Sequence, residues 1–119
     1  MAGKIIADTL EHSTAGSVTT DYVVNGSAKV WGNLNGSGTI ALRDSFNVAS
    51  VTDNGTGQYD FNYTNNMNDA NYAGIEGTNA GITLYYDTQT GETQIRTYDT
   101  SSSLTDFSRV HISCLGDLA

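Results

Sequence analysis

From Tyr22 onward, hydrophobic and polar residues alternate in short runs that are separated by asparagine and glycine. In residues 58–64 the aromatic side chains fall on one face and the polar side chains on the other, as in a half-buried strand. In residues 107–115, Val110, Ile112 and Cys114 share the face that we assign to the core. Similar runs predict further strands at 28–34, 39–42, 46–52, 82–87 and 93–98, with a short one at 73–75.

Turn residues separate these runs in the way that antiparallel hairpins require. Asn or Asp before Gly tolerates the positive φ of a tight turn, and such pairs stand at Asn25-Gly26, Asn35-Gly36 and Asn54-Gly55. Strands at this spacing, with no helical pattern between them, are typical of a β-sandwich or a small barrel. We expect an all-β fold, an antiparallel, jelly-roll-like β-sandwich of about seven to eight strands, over residues 25–119.

Residues 1–24 differ in composition from the rest of the chain. Ile5, Ile6 and Leu10 are followed by the small, hydroxyl-rich stretch 13–20, which offers too little apolar surface to fold by itself. We therefore expect an extended N-terminal arm in which these three residues dock on the arm's own domain, a neighbouring copy or a larger assembly. A loose tail is the alternative, because chain termini are often disordered.

Composition adds a prediction of self-association. Leu, Ile, Val and Phe make up about a fifth of the 119 residues, so a sandwich of this size has little to bury. The seven tyrosines suit partly wet contacts, and the chain has no proline to protect its edge strands. We expect other copies of the chain to cover some of its faces or edges.

Charge and hydropathy exclude two classes of partner. The net charge is −8, and the five cations form no run that could follow a nucleic-acid backbone. No apolar run approaches the roughly 18 residues of a membrane-spanning helix, and Asp8 interrupts the N-terminal segment too early for a signal sequence. We expect no nucleic-acid partner and no membrane insertion.

The residues that carry chemistry form no recognisable site. The acids stand at turns and strand ends, where no pair can be assigned to glycoside hydrolysis. His12 and His111 stand apart in the sequence, although three copies of His111 on a threefold axis remain an alternative for a metal or an anion. A single cysteine, Cys114, gives neither an internal disulfide nor a thiolate cluster. We expect no catalytic residue, no metal and no cofactor.

Tyrosines are the candidates for partner contact. Tyr85 and Tyr86 are adjacent on a predicted strand, so their rings point to opposite faces. With Tyr72 and Tyr98, Tyr85 is a candidate receptor or partner contact, and ordinary packing inside the sandwich is the alternative. The loops 65–71 and 99–105 are the corresponding candidate receptor loops.

Several motifs resemble short tail-fibre and virion structural proteins of tailed bacteriophages, especially those of marine bacteria and cyanobacteria. The resemblance covers most of residues 4–75 and the last four residues. Two positions depart from the pattern. Asn68 stands where the family often has proline, and Gly32 follows Trp31 where the family more often has a β-branched residue. The matching motifs are NGSAKVW at 25–31, RDSFNVASVTDNGTG at 43–57, the aromatic strand 59–63 and DANY at 69–72.

The resemblance implies a non-enzymatic structural protein of the virion, assembled in the host bacterial cytoplasm. Our leading hypothesis is a homotrimeric tail fibre or fibre-tip module that contributes to host attachment. The alternative is a decoration protein on the phage head. Expected partners are further copies of the chain, other virion proteins and a glycan or protein receptor on the host surface.

Overall fold

Two antiparallel four-stranded sheets pack face to face and form the body of the protein. The computed structural model describes residues 3–119, except for the side chains of Tyr85 and Tyr86. Its elements are β1 Thr9–His12, β2 Gly16–Thr19, α1 Thr20–Gly26, β3 Ala28–Asn35, β4 Ala41–Phe46, β5 Val48–Gly55, β6 Gln58–Tyr63, β7 Ala73–Thr78, β8 Ile82–Gln89, β9 Glu92–Tyr98 and β10 Val110–Leu115. The β3 sheet has the order β4-β3-β10-β7, the β6 sheet has the order β5-β6-β9-β8, and β1 pairs with β2.

The core lies between the inner faces of the two large sheets. Alternate residues of β3, β6, β9 and β10 are buried, which confirms the predicted all-β architecture with antiparallel sheets. Cys114 is fully buried, as the alternation in β10 predicts. Gly32 allows the sheets to approach, since a Cβ there would lie 2.9 Å from Cε1 of Phe61. The buried apolar residues are Val30, Leu34, Tyr59, Phe61, Tyr63, Met67, Ile95, Val110, Ile112 and Cys114.

The predicted boundary between the strands at 39–42 and 46–52 is wrong. β4 continues through Phe46, and the chain crosses from the β3 sheet to the β6 sheet at Asn47. Asn47 has a φ of 58°, a conformation that asparagine tolerates better than most residues. Its side chain fixes the crossing, because Nδ2 donates to the Asn65 carbonyl at 2.9 Å and Oδ1 accepts from the Asn65 amide at 2.8 Å. The predicted strand at 107–115 also begins late, at Val110.

The N-terminal segment forms local structure instead of the extended chain that the sequence predicts. Residues 3–26, here called the arm, contain the β1-β2 hairpin and the helix α1. Nδ1 of His12 accepts a hydrogen bond from the Ala15 amide at 3.0 Å and so closes the hairpin turn. The Thr20 amide donates to the Asp8 carbonyl at 2.9 Å, which ties the start of α1 to the chain before β1.

The arm makes the molecule elongated. No residue of α1 is buried, and every residue of β1 and β2 is exposed. The principal extents are 50 × 32 × 25 Å and the radius of gyration is 16.7 Å. A compact chain of this length would have a radius of gyration of about 13.5 Å. The arm therefore projects from the body.

The two ends of the body carry different segments. At the proximal end, Leu115 pairs with both Ala28 and Ala73, so the arm, loop 65–71 and the end of β10 lie together. At the distal end, Val110 pairs with Leu34 and Thr78. The segments 36–40, 55–57, 79–81 and 99–109 lie there. The strands run between the two ends.

Candidate interaction surfaces

Tyr72 lies at the proximal end with its hydroxyl inside the protein. Its Oη is 2.8 Å from the Glu92 carbonyl, 2.8 Å from Oγ1 of Thr93 and 2.9 Å from Oη of Tyr63. The Tyr63 hydroxyl also hydrogen-bonds to Thr93 and lies 3.5 Å from Sγ of Cys114. Burial raises the pKa of both tyrosines. The Tyr72 hydroxyl thus holds the start of β7 against β9, and it is already saturated with internal partners.

Tyr98 lies at the other end of the body. It is half-buried at the distal end of β9 and forms an isolated β-bridge with Leu104. Tyr72 contacts Glu92 at the beginning of the same strand, about 20 Å from Tyr98 at the usual rise per residue. The structure therefore does not bring these two candidates together. The side chain of Tyr85, the third candidate, lies outside the described residues.

A hydrogen-bonded cluster around the buried Tyr59 orders the distal loops. Oδ1 of Asp106 accepts from the Gly57 amide at 2.7 Å and from the Tyr59 hydroxyl at 2.7 Å. The Tyr59 oxygen also lies 2.8 Å from the Gly36 carbonyl. Burial, together with the neighbouring Asp106 carboxylate, raises the pKa of Tyr59. One tyrosine of β6 thus joins three segments of the distal end.

The candidate receptor loop 99–105 is an ordered turn. Oδ1 of Asp99 accepts hydrogen bonds from the amides of Ser101 and Ser103, at 2.8 and 3.0 Å. The side chains of residues 100–104 point into solvent. The other candidate loop, 65–71, lies at the proximal end and is anchored by Met67, which is buried and bridges to Leu118.

The acids and histidines do not gather into a site. Among residues 3–119, no three His, Cys, Asp or Glu side chains are close enough together to hold a metal ion. Glu76 is half-buried on β7, at a position that pairs with buried Ile112, and burial raises the pKa of its carboxyl. None of the described helices is long and apolar enough to cross a membrane.

On the outer face of the β3 sheet, one side chain from each of the four strands forms a row, and three of the four side chains are large and apolar. Phe46 pairs with Trp31, Trp31 with Ser113, and Ser113 with Ile75, so the four side chains share one face. We call them the apolar row. Phe46, Trp31 and Ile75 are 54%, 38% and 63% exposed. Sequence analysis could not group these residues, because only the strand register shows that Phe46 and Ile75 lie in one row with Trp31.

The outer face of the β6 sheet is polar over most of its length, but Ile82 and Leu84, which are 49% and 50% exposed, lie on the same face near the distal end. Nδ2 of Asn62 donates to Oγ of Ser50 at 3.2 Å and to Oγ1 of Thr52 at 3.0 Å. Nε2 of Gln94 donates to Oε1 of Glu92 at 2.8 Å. These side chains satisfy one another and face solvent, which is the usual condition of a sheet face that stays wet. Both outer faces of the body therefore expose apolar side chains, and they differ in where these lie and in the charged residues beside them.

The arm carries a second apolar surface. Ile5, Ile6, Leu10, Val23 and Val24 line a shallow groove between the N-terminal segment and α1, which we call the arm groove. Ile5 is 91% exposed and Ile6 is 82% exposed.

Lys29 connects the arm to the body. Its Nζ donates to the carbonyls of Val24 and Ser27 at the C-terminal end of α1. A cation is favourable at this end of a helix, because the last carbonyls there lack partners within the helix.

Comparison of the chain with models of protein families, with curated proteins and with solved structures found no match.

Proposed function

We propose that the chain is a non-enzymatic structural protein of a bacteriophage virion. In this proposal it is a tail-fibre or fibre-tip module that assembles as a homotrimer and contributes to host attachment. The resemblance of residues 25–31, 43–57 and 69–72 supports the phage assignment. The jelly-roll-like description of the sandwich stays a prediction.

The exposed apolar surface supports the proposal that the chain assembles with further copies. Single apolar side chains on a surface are normal, but contiguous apolar patches on a soluble protein usually make contacts. Here the arm groove, the apolar row and the pair Ile82 and Leu84 are all exposed on one chain. This amount of exposed apolar surface fits a protein that works as one subunit of an assembly.

The two-ended body supports a fibre role. The arm, with Ile5, Ile6 and Leu10, would anchor the proximal end to the virion. Loop 99–105 and Tyr98 lie at the opposite end, where they would face a host receptor. Loop 65–71 and Tyr72 lie beside the arm, so we do not assign them to receptor contact.

Adsorption of the labelled protein to bacteria tests this proposal. We expect the fluorescent full chain to adsorb to some strains in a panel of marine bacteria and cyanobacteria. Thr100→Arg, in the exposed distal turn, should reduce adsorption at least severalfold. Asn68→Arg, equally exposed at the proximal end, is the matched control and should adsorb like the native chain.

The alternative role on the phage head makes a different prediction. A decoration protein would adsorb to no strain and would bind along the surface of intact phage heads, with the arm in contact with the capsid. Binding of the labelled chain to heads that lack it, without adsorption to cells, would overturn the fibre role and support decoration.

A further inference from the structure

We propose that the arm groove of one copy docks on the apolar row of a second copy. This inference rests on the proposed self-assembly and deepens it, because it names the two surfaces that meet. Phe46, Trp31 and Ile75 project from a sheet, while Ile5, Ile6 and Val24 line a depression. A raised apolar row and a concave apolar groove are complementary in shape.

The size of the two surfaces fits a specific interface. From their exposed fractions, the five groove residues and the three large residues of the apolar row offer roughly 900 Å² of apolar surface. Since apolar atoms supply about 57% of a typical protein–protein interface, the corresponding total is roughly 1,600 Å². Stable, specific interfaces bury about this area.

Charge favours the same pairing. The chain carries a net charge of −8, so two copies repel each other over most of their surfaces. The arm is acidic, with Asp8, Glu11 and Asp21 against Lys4. The outer face of the β3 sheet is an exception to the general acidity, because Lys29 and Arg43 outnumber Asp44 there.

Arg43 is held on this face. Its guanidinium donates to Oδ1 of Asn35 at 3.2 Å and to the Leu34 carbonyl at 3.0 Å. In the proposed contact an acidic arm therefore meets a sheet face on which cations outnumber acids by one. The outer face of the β6 sheet also exposes Ile82 and Leu84, but Asp60, Asp87 and Glu92 outnumber Arg96 there and would repel the arm.

A contact between two different surfaces has a consequence for symmetry. Each copy gives one arm and receives another, so the contact is heterologous and forms a closed ring when the rotation between copies closes. Every arm and every apolar row is used in a ring of three, as in any other closed ring. The proposed contact is therefore compatible with a homotrimer without any further surface.

Cysteine pairing between two differently substituted copies tests the contact. One full-length protein carries Ile6→Cys in the arm groove, and the other carries Ile75→Cys in the apolar row. The native Cys114 is fully buried and does not compete. After mixing under oxidising conditions, we expect a disulfide-linked pair that contains one copy of each variant. Thr52→Cys, exposed on the outer face of the β6 sheet, replaces Ile75→Cys as the matched control and should give no such pair.

A second variant measures the strength of the contact. Ile75→Lys places a charge in the exposed apolar row without touching the core, and it should weaken association at least tenfold by sedimentation. Thr52→Lys should leave association unchanged. If most disulfides join two copies of the same variant, the docking proposal is wrong, but the proposal that the chain self-assembles is not affected. A native chain that stays monomeric up to millimolar concentration would overturn both the docking and the trimer.

Discussion

At the scale of single residues, tyrosine hydroxyl groups link segments of this protein that the apolar side chains alone do not join. Tyr59 joins the distal loops, and Tyr63 and Tyr72 join the proximal ones. Each ring fills part of a core that is poor in aliphatic residues, and each hydroxyl satisfies polar groups that would otherwise be buried without partners. Tyrosine thus supplies both volume and hydrogen bonds.

Replacing Tyr63 by phenylalanine should destabilise the fold by about 1–2 kcal/mol. The ring volume is kept, but the fully buried hydroxyl of Thr93 loses its Tyr63 partner. Urea unfolding monitored by fluorescence measures the change. Tyr22→Phe, on the exposed face of α1, should change stability by less than about 0.5 kcal/mol, and equal effects of the two substitutions would contradict the structural role of Tyr63.

The same tyrosines predict a loss of stability at alkaline pH. An unfolded tyrosine ionises near pH 10, whereas burial raises the folded-state pKa of Tyr59, Tyr63 and Tyr72. The folded state therefore keeps protons that the unfolded chain releases. The contribution of these tyrosines to the free energy of unfolding is complete below about pH 10 and falls as the pH rises above it. Urea midpoints measured from pH 8 to pH 11.5 should stay level at first and then fall, and a midpoint that rises above pH 10 would contradict this assignment.

Gly57, like Tyr59, determines how the segments of the distal end pack together. It has a φ of +65°, and a Cβ there would lie 2.5 Å from the Thr97 carbonyl oxygen. Gly38 has a similar φ of +68° with open space around it. We expect Gly38→Ala to cost about 1 kcal/mol from backbone strain and Gly57→Ala to cost about 3 kcal/mol or more. Thermal unfolding measures both, and equal losses would contradict the close packing of Gly57.

At the scale of elements, sequence alternation predicts the strands well where one face is buried. The runs at 28–34, 58–64 and 93–98 correspond closely to β3, β6 and β9, whose inner residues meet the opposite sheet. The boundary at Asn47 could not be predicted, because its partner Asn65 is distant in sequence. The same reason explains Tyr72, whose hydroxyl donates to carbonyls of Gln89 on β8 and Glu92 on β9.

The helix α1 is the element that the sequence least suggests. Its residues include Val23 and Val24, which have modest helix propensity, and an isolated helix of seven residues is marginal in water. It follows that α1 depends on contacts at its ends. Lys29 provides them at the C-terminal end, through the carbonyls of Val24 and Ser27.

Lys29→Met should therefore loosen α1 while leaving the body folded. Methionine keeps an unbranched chain but cannot donate a hydrogen bond. Amide hydrogen exchange of residues 20–26 should become severalfold faster, and exchange in β10 should not change. Unchanged exchange in α1 would show that Lys29 does not hold the helix.

At the scale of the whole molecule, the arm and the body differ in how they gain stability. The body has its own core, whereas the arm buries no residue of β1, β2 or α1. If copies dock through the arm, exchange in residues 20–26 should slow at least severalfold when the protein concentration rises from micromolar to millimolar. The amides of Ile112 and Cys114 serve as an internal control and should exchange at a constant rate. Exchange in α1 that is independent of concentration would contradict docking through the arm.

The position of the two ends also determines how the protein would carry a mechanical load. The arm leaves the body where β3 begins, and loop 99–105 leaves it where β9 ends, at the opposite end. A pull between these points runs along the strands and loads their perpendicular hydrogen bonds in shear, all together, instead of peeling them apart one by one. Because β3 and β9 belong to different sheets, the pull also has to slide one inner face past the other, where Phe61 packs against Gly32. We expect a small sandwich held in this direction to be stiff, as a tether between a particle and a cell surface has to be in the proposed fibre role.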